Sequence, residues 1–156
     1  MKKVVLSLLV IVGIVLLTGC GKVDFSKTSH IACSKTEQNS SDTTTTILNL
    51  AYDKNEKITD FEVIADVQYN KQMSEEAIKI VEKTLQLVGA IPGISFKSSV
   101  GSNGINYKFS GNIKMLKVVM KNVNKDYSED KVTGDTKSEA LSELTEDGYT
   151  CEDIKK

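Results

Sequence analysis

Two neighbouring stretches, TTTTILNLAY at 43–52 and ITDFEVIADVQY at 58–69, alternate with period two. Period two is the repeat of an extended strand, whose successive side chains point to opposite faces. Thr44, Thr46, Leu48, Leu50 and Tyr52 share one face of the first stretch, and Phe61, Val63, Ala65, Val67 and Tyr69 share one face of the second. The two apolar faces coincide in an antiparallel pair only if Leu50 opposes Phe61 and Leu48 opposes Val63. That register sets Asp53 against Ile58 and leaves KNEK at 54–57 as a four-residue turn. The other face carries Thr43, Thr45, Asn49, Glu62, Asp66 and Gln68 around Ile47, Ala51 and Ile64. A sheet with one apolar and one polar face needs a cover on the first and leaves the second to water or a polar partner.

The cover is predicted in MSEEAIKIVEKTLQLVGA at 73–90. Ser74 suits an N-cap, Glu75 and Glu76 favour the positive end of the helix dipole, and Met73 can staple to Ile78. Ala77, Ile78, Val81, Leu85 and Val88 make an apolar stripe over the hairpin, and Gly89 is a natural stop. After a turn at Ile91-Pro92-Gly93, a second hairpin runs out through Ile94, Phe96, Ser98 and Val100 and back through Ile105, Tyr107 and Phe109. Its register sets Val100 against Ile105 and Phe96 against Phe109. A first strand is predicted at 29–35, on an edge, with TEQNSSD at 36–42 as a loop. IKMLKVVMKNV at 113–123 has helical spacing at Ile113, Leu116, Met120 and Val123, and NKDYSEDKVTGD at 124–135 reads as a loop. Thr136 and Glu139 have capping-box spacing for a last helix carrying Ala140, Leu141 and Leu144. Gly148 ends that helix and YTC returns towards the sheet. The order β-β-β-α-β-β-α-α predicts an α+β fold: an antiparallel β-sheet built from two hairpins plus a first strand, with helices packed on one face.

Ahead of this domain stands a leader. Lys2 and Lys3 precede an apolar run from Val4 to Leu17, too short to span a bilayer core and broken by Ser7 and Gly13. The run ends in Leu17-Thr18-Gly19-Cys20, which resembles the lipobox of bacterial lipoproteins. The resemblance implies a lipoprotein signal peptide at 1–19, cut away to leave Cys20 as a new N-terminus carrying a diacylglycerol. It also implies a membrane partner through that anchor, at the extracytoplasmic face of the cell membrane. Residues 20–27 are then the lipidated N-terminus and a short tether, and 28–156 a single α+β globular domain. Two acyl chains hold stably where one holds marginally.

The mature part retains 18 lysines against 21 acidic groups once Lys2 and Lys3 are gone. It has no arginine and no tryptophan, so it lacks the phosphate forks and stacking platforms of a nucleic-acid binder. Cys33 and Cys151 are the remaining thiols, an even number in an exported domain, which predicts a disulfide. A metal site fails for want of ligands, because His30 and Cys33 form a lone H-x-x-C.

No catalytic residue, metal site or cofactor motif emerges. His30 is the single histidine, and neither H-E-x-x-H nor G-x-S-x-G occurs. VGSNG at 100–104 reads as a hairpin turn and not a phosphate nest, since no helix begins there. Tyr52, Tyr69 and Tyr107 lie on apolar faces, where they serve either core packing with a hydroxyl at the rim or an aromatic groove for a ligand. The faces alone do not choose.

The layout of lipobox, short tether, β-hairpin, SEEA helix, second hairpin and capped last helix ending in a Gly-aromatic step resembles the YehR-like small bacterial lipoproteins. That family is a domain of unknown function, so the resemblance implies no catalytic residues. The expected function is a membrane-anchored, non-enzymatic domain that binds an extracytoplasmic protein or small ligand; the alternative is an enzyme or enzyme inhibitor with an unrecognised active site.

Overall fold

The computed structural model describes residues 23–90, 93–115 and 136–156. The leader at 1–19, Cys20, the turn residues Ile91 and Pro92, the predicted helix beyond Met115 and the loop at 124–135 lie outside the described residues.

Six antiparallel strands form one open sheet: β1 (His30–Gln38), β2 (Asp42–Tyr52), β3 (Ile58–Tyr69), β4 (Ile94–Gly101), β5 (Gly104–Asn112) and β6 (Thr150–Ile154), in the order β4-β5-β3-β2-β1-β6. Helix α1 (Glu75–Gly89) connects β3 to β4, and α2 (Lys137–Glu146) precedes β6. Because β5 lies between β3 and β4, α1 carries the chain across two strand positions to the far edge.

Leu48 opposes Val63 and Leu50 opposes Phe61. The register then slips by one residue, so Tyr52, and not Asp53, opposes Ile58. Thr59 is the extra residue of this bulge, and its hydroxyl turns back to the Ala51 carbonyl at 3.5 Å. Asp53 closes the turn instead. Its carboxylate accepts the backbone N–H groups of Asn55 and Lys57 at 2.8 and 3.0 Å, which holds it below the usual carboxylate range. Phe96 opposes Phe109 and Val100 opposes Ile105 in the second hairpin. Gly104 begins β5 because a Cβ there would collide with the Val67 carbonyl oxygen of the neighbouring strand.

Two expectations about β1 are corrected. It runs on to Gln38, since Thr36, Glu37 and Gln38 pair with Thr45, Thr44 and Thr43. Nor is it an edge: residues 150–154, continuing the returning YTC, form β6 along its free side, pairing Cys33 with Cys151 and Ile31 with Asp153. The remaining loop at 39–41 is tight. Buried Asp42 accepts from Asn39 Nδ2 at 3.0 Å and Ser41 Oγ at 2.9 Å, satisfying a carboxylate that burial would otherwise penalise.

Two apolar clusters fill the covered face. The larger joins Ile31, Cys33, Leu50, Ile58, Phe61 and Ile113 to Ala140 and Leu144 of α2. The smaller joins Val67 and Ile105 to Leu85 of α1, with Val81, Met73, Phe96 and Tyr69 against them. α1 covers the first hairpin only at its far end, through Val67 and Tyr69, and not along its length as expected. Leu50 and Phe61 meet α2, while α1 lies over the β4 side. The crossover to the far edge pulls α1 away from β2.

Both helices start as their sequences require. Ser74 Oγ accepts the Ala77 N–H at 3.3 Å. Thr136 and Glu139 make the reciprocal capping box. Past α2, Gly148 takes φ +85°, a left-handed conformation costly to any other residue, and so turns the chain into β6.

Candidate functional site

Three surfaces bear polar groups in arrangements beyond what strand pairing demands. The first is the sheet face opposite the two clusters. Row by row it presents Ala32, Asn49, Glu62, Ser110 and Ser95, then Ser34, Ile47, Ile64, Lys108 and Lys97. Glu62 is only 9 % exposed. Its carboxylate meets Lys108 Nζ at 2.7 Å and accepts from Asn49 Nδ2 at 3.2 Å. Charge-assisted bonds of this length fix a side chain in place. Beside this knot Ile47 is 37 % exposed and Ile64 half-buried. The face is polar around a small apolar centre.

The second is the clasp at the start of α2. Tyr52 donates to Asp153 at 2.6 Å, Lys137 pairs with Asp153 at 2.8 Å and with Glu56 at 3.3 Å, and its ammonium sits 4.8 Å from the Tyr52 ring centroid. Backbone bonds add to it, the Lys137 N–H donating to the Glu56 carbonyl at 2.8 Å. Asp153 pushes Lys137 up to about 12, against the opposing effect of desolvation and with help from Glu56. The same contacts hold Asp153 below the carboxylate range, Lys137 first and Tyr52 second. Each charge has a charged partner, so the clasp ties β2, the β2–β3 turn, α2 and β6 together and offers no free base or nucleophile.

The third is the end of the sheet where the chain enters. Residues 24–28 fold into a turn: Asp24 accepts from Ser26 N and Oγ at 3.1 and 2.6 Å, and the Asp24 carbonyl accepts from Lys27 N and Thr28 Oγ1, both at 3.0 Å. Phe25 stands edge-on to His30 with ring centroids 5.4 Å apart. His30, on the strand expected at an edge, is 7 % exposed, because β6 and the folded turn enclose β1. Its Nδ1 lies 2.7 Å from the Thr28 carbonyl, which can only accept, so Nδ1 carries the proton.

Cys33 and Cys151 form a disulfide, a cross-strand pair between β1 and β6 that joins positions 118 residues apart. Cys20 lies outside the described residues. The tyrosines pack with the clusters. Tyr107 stacks on Phe109 at 6.3 Å, and burial pushes its phenol up. Burial, then the charge of Asp42, does the same to Tyr69. Among the described residues, surface depressions lie on the outer side of α1 at Lys79, Ile80 and Lys83, and between α1 and β4 at Glu82, Gln86 and Ser98.

Searches against family models, characterised proteins and solved structures find no match to this chain. What the chain offers a partner is thus read from its own surfaces.

The Glu62–Asn49 contact was legible, since the first hairpin's register sets them opposite each other. Lys108 was not, because it needs the pairing of β3 with β5. Asp153 was hidden by the brevity of TCEDI, although Cys151 and Asp153 share a face by simple alternation. Among the described residues no three His, Cys, Asp or Glu side chains are grouped to hold a metal ion.

Proposed function

We propose that this chain is a membrane-anchored extracytoplasmic lipoprotein of the YehR-like kind, carrying a lipid on Cys20, whose domain binds a protein partner on the polar face of its sheet and performs no catalysis. In this reading α1 and α2 cover one face, and among the described residues only the turn at 24–28, against His30, meets the other. The observation that carries the binding half is that polar face. It has exposed Ile47 and half-buried Ile64 at its centre and surrounds them with Glu62, Lys108, Asn49 and Thr45. An apolar centre within a polar rim suits a protein partner. The anchoring half is supported by Leu17-Thr18-Gly19-Cys20 and by a fold that begins within a few residues of that cysteine. The non-catalytic reading is supported by the burial of the one histidine, His30, at 7 % exposed.

The test is a photo-crosslinking amino acid placed at Ile47 or at Ile80 in cells. A discrete adduct from position 47 and none from position 80 is expected. Adducts from position 80 alone would move the binding surface to α1. In parallel, Cys20→Ala is expected to leave uncleaved precursor or release protein to the medium, and normal processing and retention would overturn the anchor.

A further inference from the structure

The strands alternate in direction, so one end of the sheet gathers the folded turn at 24–28, the β2–β3 turn, the exit of β5 and the C-terminal end of β6. That end carries Lys54, Lys57, Lys114, Lys155 and Lys156, all exposed, and none pairs with a carboxylate among the described residues. The acids at the same end are engaged within the fold. Asp24 and Asp53 bond their own turns, Glu56 and Asp153 hold Lys137, Asp60 accepts from Asn112, and Glu139 serves the α2 cap. The opposite end is acidic. Glu37, Glu75, Glu76, Glu146 and Asp147 are exposed there, with Lys71 among them and Lys35 paired with Glu37 at 3.0 Å.

Only Gly21 and Lys22 separate Cys20 from Val23. Three residue steps span at most about 11 Å, and the turn at 24–28 is fastened to the sheet through Phe25 and His30. A lipid on Cys20 would therefore hold the lysine-bearing end close to the headgroups, within about two Debye lengths of roughly 8 Å each at physiological salt.

We propose that the end of the sheet bearing Lys54, Lys57, Lys114, Lys155 and Lys156 docks on the anionic headgroups of the anchoring membrane, so that the domain stands with its strands upright and its polar face turned sideways to partners. The inference rests on the anchored reading for its biological setting. The lysines supply the attraction, each worth roughly five-fold in surface partition, offset in part by the carboxylates at that end, which keep their charge within their hydrogen bonds. The acidic far end is repelled by the same field, so charge and tether select one orientation.

The test uses the mature chain, residues 20–156, with its disulfide formed and the Cys20 thiol coupled to a maleimide phospholipid in vesicles. Vesicles of phosphatidylglycerol with phosphatidylcholine are compared with vesicles of phosphatidylcholine alone, and lysine acetylation rates are read by mass spectrometry. On the anionic vesicles Lys54, Lys57, Lys114, Lys155 and Lys156 are expected to react several-fold more slowly, while Lys71 and Lys79 are unchanged. The protection should vanish in about 0.5 M salt. Lys54→Glu with Lys57→Glu, both on an exposed turn, should abolish protection of Lys114, Lys155 and Lys156. Equal rates on the two vesicles, or protection of Lys71 and Lys79 instead, overturns the docking surface. The mass of the Cys20 peptide from cellular membranes reports the anchor separately, so its failure is not mistaken for failure of the docking end.

Discussion

The two apolar clusters under one sheet are built from opposite materials. The smaller one, around Leu85, Val67 and Ile105, is assembled from a continuous stretch: β3, α1, β4 and β5 follow one another along the chain. The larger one, around Phe61 and Leu50, needs Ile31 from the start of the domain and Ala140 and Leu144 from near its end. Contacts of long sequence separation cost more chain entropy to form. The ties are placed accordingly. The disulfide, the Lys137 clasp, the capping box and the Lys57–Thr136 bridge all serve the larger cluster. The difference teaches that cross-links stand where local sequence cannot hold a cluster together.

Removing the disulfide should have the largest effect. With Cys33→Ala and Cys151→Ala, the chain-entropy model for a loop of this length gives a loss of up to about 5 kcal/mol, measured by urea unfolding. A loss smaller than that from a single core truncation would refute the contrast. Leu85→Ala, at a position 2 % exposed, should cost about 3 kcal/mol through the lost transfer energy and the cavity. Hydrogen exchange would sharpen the comparison: Leu85→Ala should loosen β4 and β5 first, whereas the cysteine pair should loosen β6 and α2.

Lys137→Met should lower Tm less than either, and its signature is pH dependence. Folding lowers the pKa of Asp153, so that contribution is present above the ordinary carboxylate range and lost as pH falls through the lowered value. Folding raises Lys137 to about 12, so its contribution is whole below its ordinary 10.5 and lost as pH rises through about 12. Tyr52, raised first by its bond to Asp153, is likewise lost on the alkaline side. In Lys137→Met the alkaline loss from the ammonium should disappear and the acid loss should shrink. A Tm difference between the proteins that is constant from pH 3 to pH 11 would show that the clasp works by packing alone.

The same contrast governs what could be read beforehand. The pairs Leu48–Val63, Leu50–Phe61, Phe96–Phe109 and Val100–Ile105 followed from alternation, because a hairpin's register is a local property. The caps at Ser74 and Thr136 followed for the same reason. The bulge at Thr59 did not, since either register buries the same apolar residues up to Ala51. Least legible was the surrounding of β1: that β6 flanks it, that His30 is enclosed, and that α2 and not α1 meets Leu50. Each depends on where distant segments come to rest, and no periodicity encodes that. The Lys137–Asp153 clasp belongs to the same class.

The bond between Cys33 and Cys151 also has a mechanical meaning. A pull on the N-terminus enters the sheet at His30 and peels β1 from its neighbours one residue at a time. At Cys33 the covalent link passes the load to β6. From Val23 to Cys33 the released chain can extend by no more than about 36 Å. Under tension the domain thus behaves as a short retractable leash with a hard stop, giving way at its entrance while β3, β5 and the polar face keep their shape.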